Sequence, residues 1–208
     1  ASMWLGTLTG TAAFGLNEVG KALAAGQIEF ALRRDRQKLL VPVADAVAKA
    51  PGDGYTIMLG LSNSLMTNQF LYTKLPYDAQ KDLAMVYRIA MAPLVLVVHP
   101  SVPVKTGPEL MKYVAANKGK VSYGSYGTGA YPHLAGAHMS LTQKADMVHV
   151  AYKGEAPMVQ DLIGGQIQMA FASALQVKAH IDAGKLRAIG TSGDRRMATL
   201  PKVPTLAE

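Results

Sequence analysis

Apolar and polar positions come in alternating blocks along most of this chain. The clearest block is Leu94-Val-Leu-Val-Val98, five apolar residues in a row, broken by His99-Pro-Ser-Val-Pro103. Such a run predicts a strand buried on both faces. Thr106-Gly-Pro-Glu109 has the spacing of a capping box, which opens a helix reaching Ala116; Asn117-Lys-Gly119 closes it. Strands follow at 121–123, 147–150, 167–171 and 186–190. Helices begin near Pro132, at Ala156 and at Ala174, the last with Ser173 as its cap. Gly164-Gly165 and Gly184 stop two of them. Alternation of this kind from Leu94 to Gly190 predicts right-handed βαβ units. They build a mixed, mainly parallel sheet with helices on its faces.

The first part of the chain has a weaker pattern. Residues 1–8 read as a strand or lead-in. A helix over 12–25 places Ala13, Leu16, Val19 and Leu23 at helical spacing, and Gly26 ends it. Residues 27–32 can be a strand, and 33–40 are charged and irregular. Pro42 opens a short helix over 43–50, closed by the turn Pro51-Gly-Asp-Gly54. A buried strand is expected at 55–59, a weak helix up to Phe70, a polar connection over 74–82 and a strand over 85–90.

One stretch combines a strand end, a loop of Gly124, Ser125, Gly127, Thr128 and Gly129, and a helix start at Pro132. Free N–H groups of the first helical turn and the helix dipole make such a place suitable for an anion. The plain alternative is a βα turn that binds nothing. Similar polar loops follow Leu8, Leu59 and Val150, and ligands of α/β sheets sit beyond the carboxyl ends of the strands.

Composition narrows the function. The 208 residues allow one large domain or two small ones, and half are hydrophobic. Twenty-one Lys and Arg against 14 Asp and Glu give a net charge of +7. The basic residues form no long run and few aromatics lie among them, so a nucleic-acid partner is not expected. The charge reads as solubility with mild attraction for anions. Cysteine is absent, which removes disulfides and thiol chemistry. No basic segment followed by an apolar core opens the chain, as in a mature secreted protein. His133, His138 and His149 do not have metal-ligand spacing, so neither a metal nor another cofactor is expected. Ser125 lacks the elbow of a hydrolase nucleophile.

Several segments in order carry a resemblance. They are Ala44-Asp-Ala-Val-Ala-Lys-Ala-Pro-Gly-Asp-Gly-Tyr-Thr56, Lys74-Leu-Pro-Tyr-Asp78, Tyr123-Gly-Ser-Tyr-Gly-Thr-Gly129, His149-Val-Ala-Tyr-Lys-Gly154, Asp161-Leu-Ile-Gly-Gly165 and Leu200-Pro-Lys-Val-Pro-Thr205. Together they resemble the Bug-type periplasmic solute-binding proteins of tripartite tricarboxylate transporters. The resemblance implies a two-domain α/β fold of the type II periplasmic binding protein kind, with an interdomain cleft. Domain 1 would span 1–96, domain 2 would span 97–191, and 192–208 would return towards domain 1. The chain would continue beyond Glu208, so a truncated polypeptide is implied. A monomer in the periplasm would capture a small carboxylate and pass it to integral-membrane permease subunits, with no enzymatic step. An enzyme acting on a small organic acid and a ligand-sensing effector domain are the alternatives.

Matched position by position, the resemblance implies ligand contacts at Gly10, Thr11, Ser62, Asn63, Ser64, Ser125, Gly127, Thr128, Gly129, His133, Tyr152 and Ser173. Where the family often places an Asp, this chain has Ala172 and Ser173. The family's Asn-Arg-Pro-Gly-Ala-Gly-Gly segment is replaced by Arg33-Arg-Asp-Arg-Gln-Lys-Leu-Leu40, so residues 1–43 are divergent or uncertain in sequence.

Overall fold

The computed structural model describes residues 2–5, 36–61 and 67–208, which fall into two units, 2–91 and 92–208. The expected helix over 12–25 and strand over 27–32 lie outside the described residues.

In the unit 2–91, strands β1 (Ser2–Leu5), β2 (Leu59–Leu61) and β3 (Tyr87–Met91) form an antiparallel sheet in the order β2-β1-β3. Helices α1 (Arg36–Ala48) and α2 (Asn68–Leu71) belong to the same unit. Helix α1 is longer than expected: it includes the charged stretch from Arg36 and carries Pro42 in its interior, where the ring removes one backbone donor. The strand expected at 55–59 is displaced to 59–61, and Tyr55 is 85% exposed. The cause is local. The Tyr55 N–H donates to Asp53 Oδ1 at 3.0 Å, which extends the Pro51–Gly54 turn by one residue and keeps Tyr55 out of the ladder. A small core gathers Ala44, Met58, Tyr77, Ala79 and Leu83.

In the unit 92–208, strands β4 (Leu94–Val98), β5 (Ser122–Ser125), β6 (Val148–Ala151), β7 (Met169–Ser173) and β8 (Arg187–Thr191) form one sheet in the order β6-β5-β7-β4-β8. Strand β5 pairs parallel with β6 and β7, while β4 pairs antiparallel with β7 and β8. Four strands therefore run one way and β4 alone runs against them. The sheet is mixed, as expected, and β4 is its reversed member.

The pleat explains why all five side chains of β4 are buried. Leu94, Leu96 and Val98 face one side, with Tyr123, Met169 and Phe171. They pack there against α3 (Gly107–Ala116) through Leu110 and Val114 and against α4 (Tyr131–Thr142) through Met139. Val95 and Val97 face the other side with Ala170 and Ala172. Their neighbours are Met158, Val159 and Leu162 of α5 (Glu155–Ile163) and Val177 of α6 (Ala174–Asp182). Helix, sheet and helix form three layers. The cap of α3 forms at Thr106, whose Oγ1 accepts from the Glu109 N–H, while Glu109 reaches back to the Lys105 N–H at 2.7 Å.

The contact boundary falls between Met91 and Ala92, ahead of the expected Val97, because the whole of β4 sits in the ladder between β7 and β8. Residues 192–208 stay on this unit. The Leu94 N–H donates to Ser192 Oγ, Thr191 bridges Thr205 in parallel, and Leu200 and Val203 pack against the β4 valines' face. No helix among the described residues is long and apolar enough to cross a membrane.

Candidate functional site

The carboxyl ends of β5, β6 and β7 meet at one edge of the sheet. Ser125 ends β5 opposite Ala151 of β6, and the Tyr152 N–H donates to the Ser125 carbonyl at 2.8 Å. Ser173 ends β7. The sheet therefore brings the loop after β5 beside Tyr152 and Ser173, three segments separated in sequence.

The loop is held by two histidines. Ser125 is fully buried. Its Oγ lies 2.7 Å from His149 Nε2, 3.2 Å from the Gly127 carbonyl and 3.4 Å from the Gly127 N–H. The Gly129 N–H donates to His133 Nδ1 at 3.0 Å. His133 is the third residue of α4, so its side chain closes back on the residue before the helix cap, as Glu109 of α3 does on the Lys105 N–H. The two imidazoles stack with centroids 4.2 Å apart, and Tyr123 stacks on His149 at 5.1 Å. Burial, and then the neighbouring His133, hold His149 below the usual histidine range. Gly129 sits at φ +78°, where a side chain would be strained.

Two expected ligand donors thus serve the loop itself. Ser125 Oγ and the Gly129 N–H are engaged internally and stiffen the turn. The Ser125–His149 pair has the spacing of a nucleophile and its base, but a hydroxyl with no exposed surface cannot meet a substrate. The first-turn N–H groups of α4 at Tyr131 and His133 have no acceptor within the helix, since the first such bond is Leu134 N–H to the Ala130 carbonyl. Thr128 is exposed at the loop tip, and Tyr131 packs edge-on against Phe171 of β7 at 5.5 Å.

Tyr152 is half-buried and its hydroxyl donates to Asp161 Oδ2 at 2.9 Å; burial first, then this bond, push the phenol up to about 12. Ser173 stands at the cap position of α6, yet its side chain makes no cap bond. Its Oγ donates to Glu155 Oε2 at 3.0 Å and its N–H donates to Glu155 Oε1. Burial, and then Glu155, push the loop's Tyr126 up to about 12. Glu155 and Tyr126 belong to this edge and no sequence spacing points to them: the bond from residue 155 to residue 173 exists only because α5 returns its strand beside β5. Gly10, Thr11, Ser62, Asn63 and Ser64 lie outside the described residues. Among the described residues no three His, Asp or Glu side chains gather to hold a metal ion.

Comparison with known proteins matches residues 40–208 to the model of the tripartite tricarboxylate transporter family receptor. A protein of Pseudomonas sp. strain P51, described as a UPF0065 protein in the tcbD-tcbE intergenic region, is 37% identical over 165 residues, covering 79% of this chain and 49% of that protein. Protein BugT of Bordetella pertussis is 33% identical over 79% of this chain and 51% of its own length. Among solved structures, R. palustris Rpa4515 with adipate superposes with a TM-score of 0.68 at 30% identity, covering 80% of this chain and 56% of that one. The chain spans about half the length of the curated relatives it matches.

Proposed function

The chain belongs to the tripartite tricarboxylate transporter receptor family, and from that premise we propose that it is a periplasmic receptor. It captures a small organic acid and hands it to the membrane permease of a tripartite transporter. The observation that carries the reading is the internally bonded loop after β5. Two internal bonds hold it at the carboxyl edge of the sheet and leave the N–H groups of Tyr131 and His133 at the start of α4. Neutral donors and a helix N-terminus bind a carboxylate without an arginine. A loop ordered before binding loses less entropy when the ligand arrives. The structural relative solved with adipate, a carboxylic acid, supports the ligand class.

Gly10, Thr11, Ser62, Asn63 and Ser64 stay in the proposal as further ligand contacts, and a monomer as the working unit. Titration calorimetry of the full chain against a panel of small organic acids tests it. Saturable binding is expected, weakened at least about tenfold by Thr128→Val at unchanged melting temperature. Equal affinity in that variant removes the loop from the site, and no heat with any acid overturns the reading. Delivery is read separately, as uptake of the bound acid by cells with and without the receptor.

A further inference from the structure

His133 enters the loop twice. Its backbone N–H is one of the donors left free at the start of α4, and its Nδ1 accepts from the Gly129 N–H at 3.0 Å. A backbone N–H can only donate, so Nδ1 holds a lone pair and the ring is neutral in this arrangement. The bond ties down the turn that leads into the helix. Gly129 sits at φ +78°, and the next residue, Ala130, caps α4 and donates to the Gly127 carbonyl at 3.2 Å. His149 differs. Its Nε2 faces Ser125 Oγ at 2.7 Å, and a hydroxyl can accept as well as donate, so a proton on that nitrogen leaves the pair bonded. A proton on His133 Nδ1 puts two donors face to face.

The surroundings offer nothing to hold an imidazolium. The His133 ring stacks on His149 of β6 at 4.2 Å, and Tyr123 of β5 stacks on His149 in turn. Tyr126 of the loop keeps its proton, because burial, and then Glu155, push its phenol up to about 12. His138, further along α4, is exposed. Among the described residues no Asp or Glu forms an ion pair with either stacked histidine.

We infer that His133 is the positioning residue of the proposed carboxylate site and works only as the neutral imidazole: a proton on Nδ1 breaks the Gly129 bond, frees the turn and weakens the hold on the acid. The inference rests on the receptor reading above. Binding to the locked turn then excludes one proton, so affinity falls as pH falls, by at most about tenfold per pH unit. Part of that limit is reached, since an unlocked turn can be ordered again by the ligand at a cost in affinity.

The test is calorimetry of the full chain with adipate, succinate and butanoate at about pH 8 and about pH 6, across which imidazoles change charge. His133→Asn can place an amide oxygen where Nδ1 stands and does not titrate; His133→Leu removes the acceptor. The Leu variant should bind roughly tenfold more weakly than wild type at the higher pH, and the Asn variant should recover most of that loss. Protonation of the ligand affects every protein alike, so the wild-type affinity is read relative to that of His133→Asn. The ratio should fall roughly tenfold on acidification. A ratio that stays level or rises, as it would if an imidazolium attracted the ligand, overturns the inference, and so does an Asn variant no better than Leu. Nitrogen-edited NMR of the ligand-free chain reads the lock by itself: the Gly129 amide resonance should move with protonation of the His133 ring, and one that ignores it overturns the lock whichever acid binds. A folded protein that binds no acid overturns the receptor reading.

Discussion

Helix α4 lies against β5 at a point where only a glycine fits. A Cβ added at Gly136 would overlap the ring of Tyr123, whose carbons are the nearest atoms. Tyr123 has little room to yield. It is 4% exposed, belongs to the core with Leu96 and Phe171, and stacks on His149. On a free helix surface, Gly→Ala stabilises by about 1 kcal/mol through propensity. Here the overlap forces side chains off their rotamers or lifts the helix, and we expect Gly136→Ala to cost about 1–3 kcal/mol net. For a chain of this size that lowers the melting temperature by roughly 3–10 °C. Gly107→Ala is the control: it lies in the first turn of α3 with nothing within 4 Å of the added carbon, and should be neutral or stabilising by up to about 1 kcal/mol. In a Tyr123→Val background the Gly136→Ala penalty should largely disappear, because the two residues are in contact. Circular-dichroism melts and urea titrations of the five proteins, wild type included, decide it. A Gly136→Ala protein as stable as wild type, or a penalty that persists in the Tyr123→Val background, refutes the packing argument.

Three further outcomes are expected. His149 is held below the usual histidine range by burial and by His133, so the native state binds fewer protons than the unfolded chain. The resulting stability is complete above the unfolded histidine value and is lost as pH falls through the folded one; urea midpoints should decline on acidification, and His149→Gln should flatten that decline. Ser125→Ala leaves His149 Nε2 and the Gly127 N–H without their buried partner and should cost about 1–3 kcal/mol in urea unfolding, while a wild-type midpoint would show that water replaces the hydroxyl. Thr106→Ala removes the cap of α3 and should cost about 1 kcal/mol, read by the same titration; no change would mean that the Glu109 bond to Lys105 suffices.

The residues by themselves determined the local elements of the second unit. Five consecutive apolar residues can bury themselves only as an inner strand, and Leu94–Val98 is one. Thr106 and Glu109 sit at the spacing that closes a helix start, and glycines at 119, 165 and 184 adopt positive φ after helices. These signals act over a few residues, so sequence order is enough to carry them. The strand-loop-helix at Ser125 to Pro132 was legible for the same reason. Tertiary structure alone decided the rest. Leu94–Val98 runs against its four neighbours, a choice fixed by pairing across about 75 residues of chain to β7 and about 90 to β8. Ser125 Oγ, a donor the loop would offer a ligand, is taken by His149, a partner that only the neighbouring strand β6 supplies. Glu155 reaches Ser173 only after α5 and β7 have packed. Propensity and capping are properties of short segments; which donor meets which acceptor across the sheet is set by how the strands are ordered.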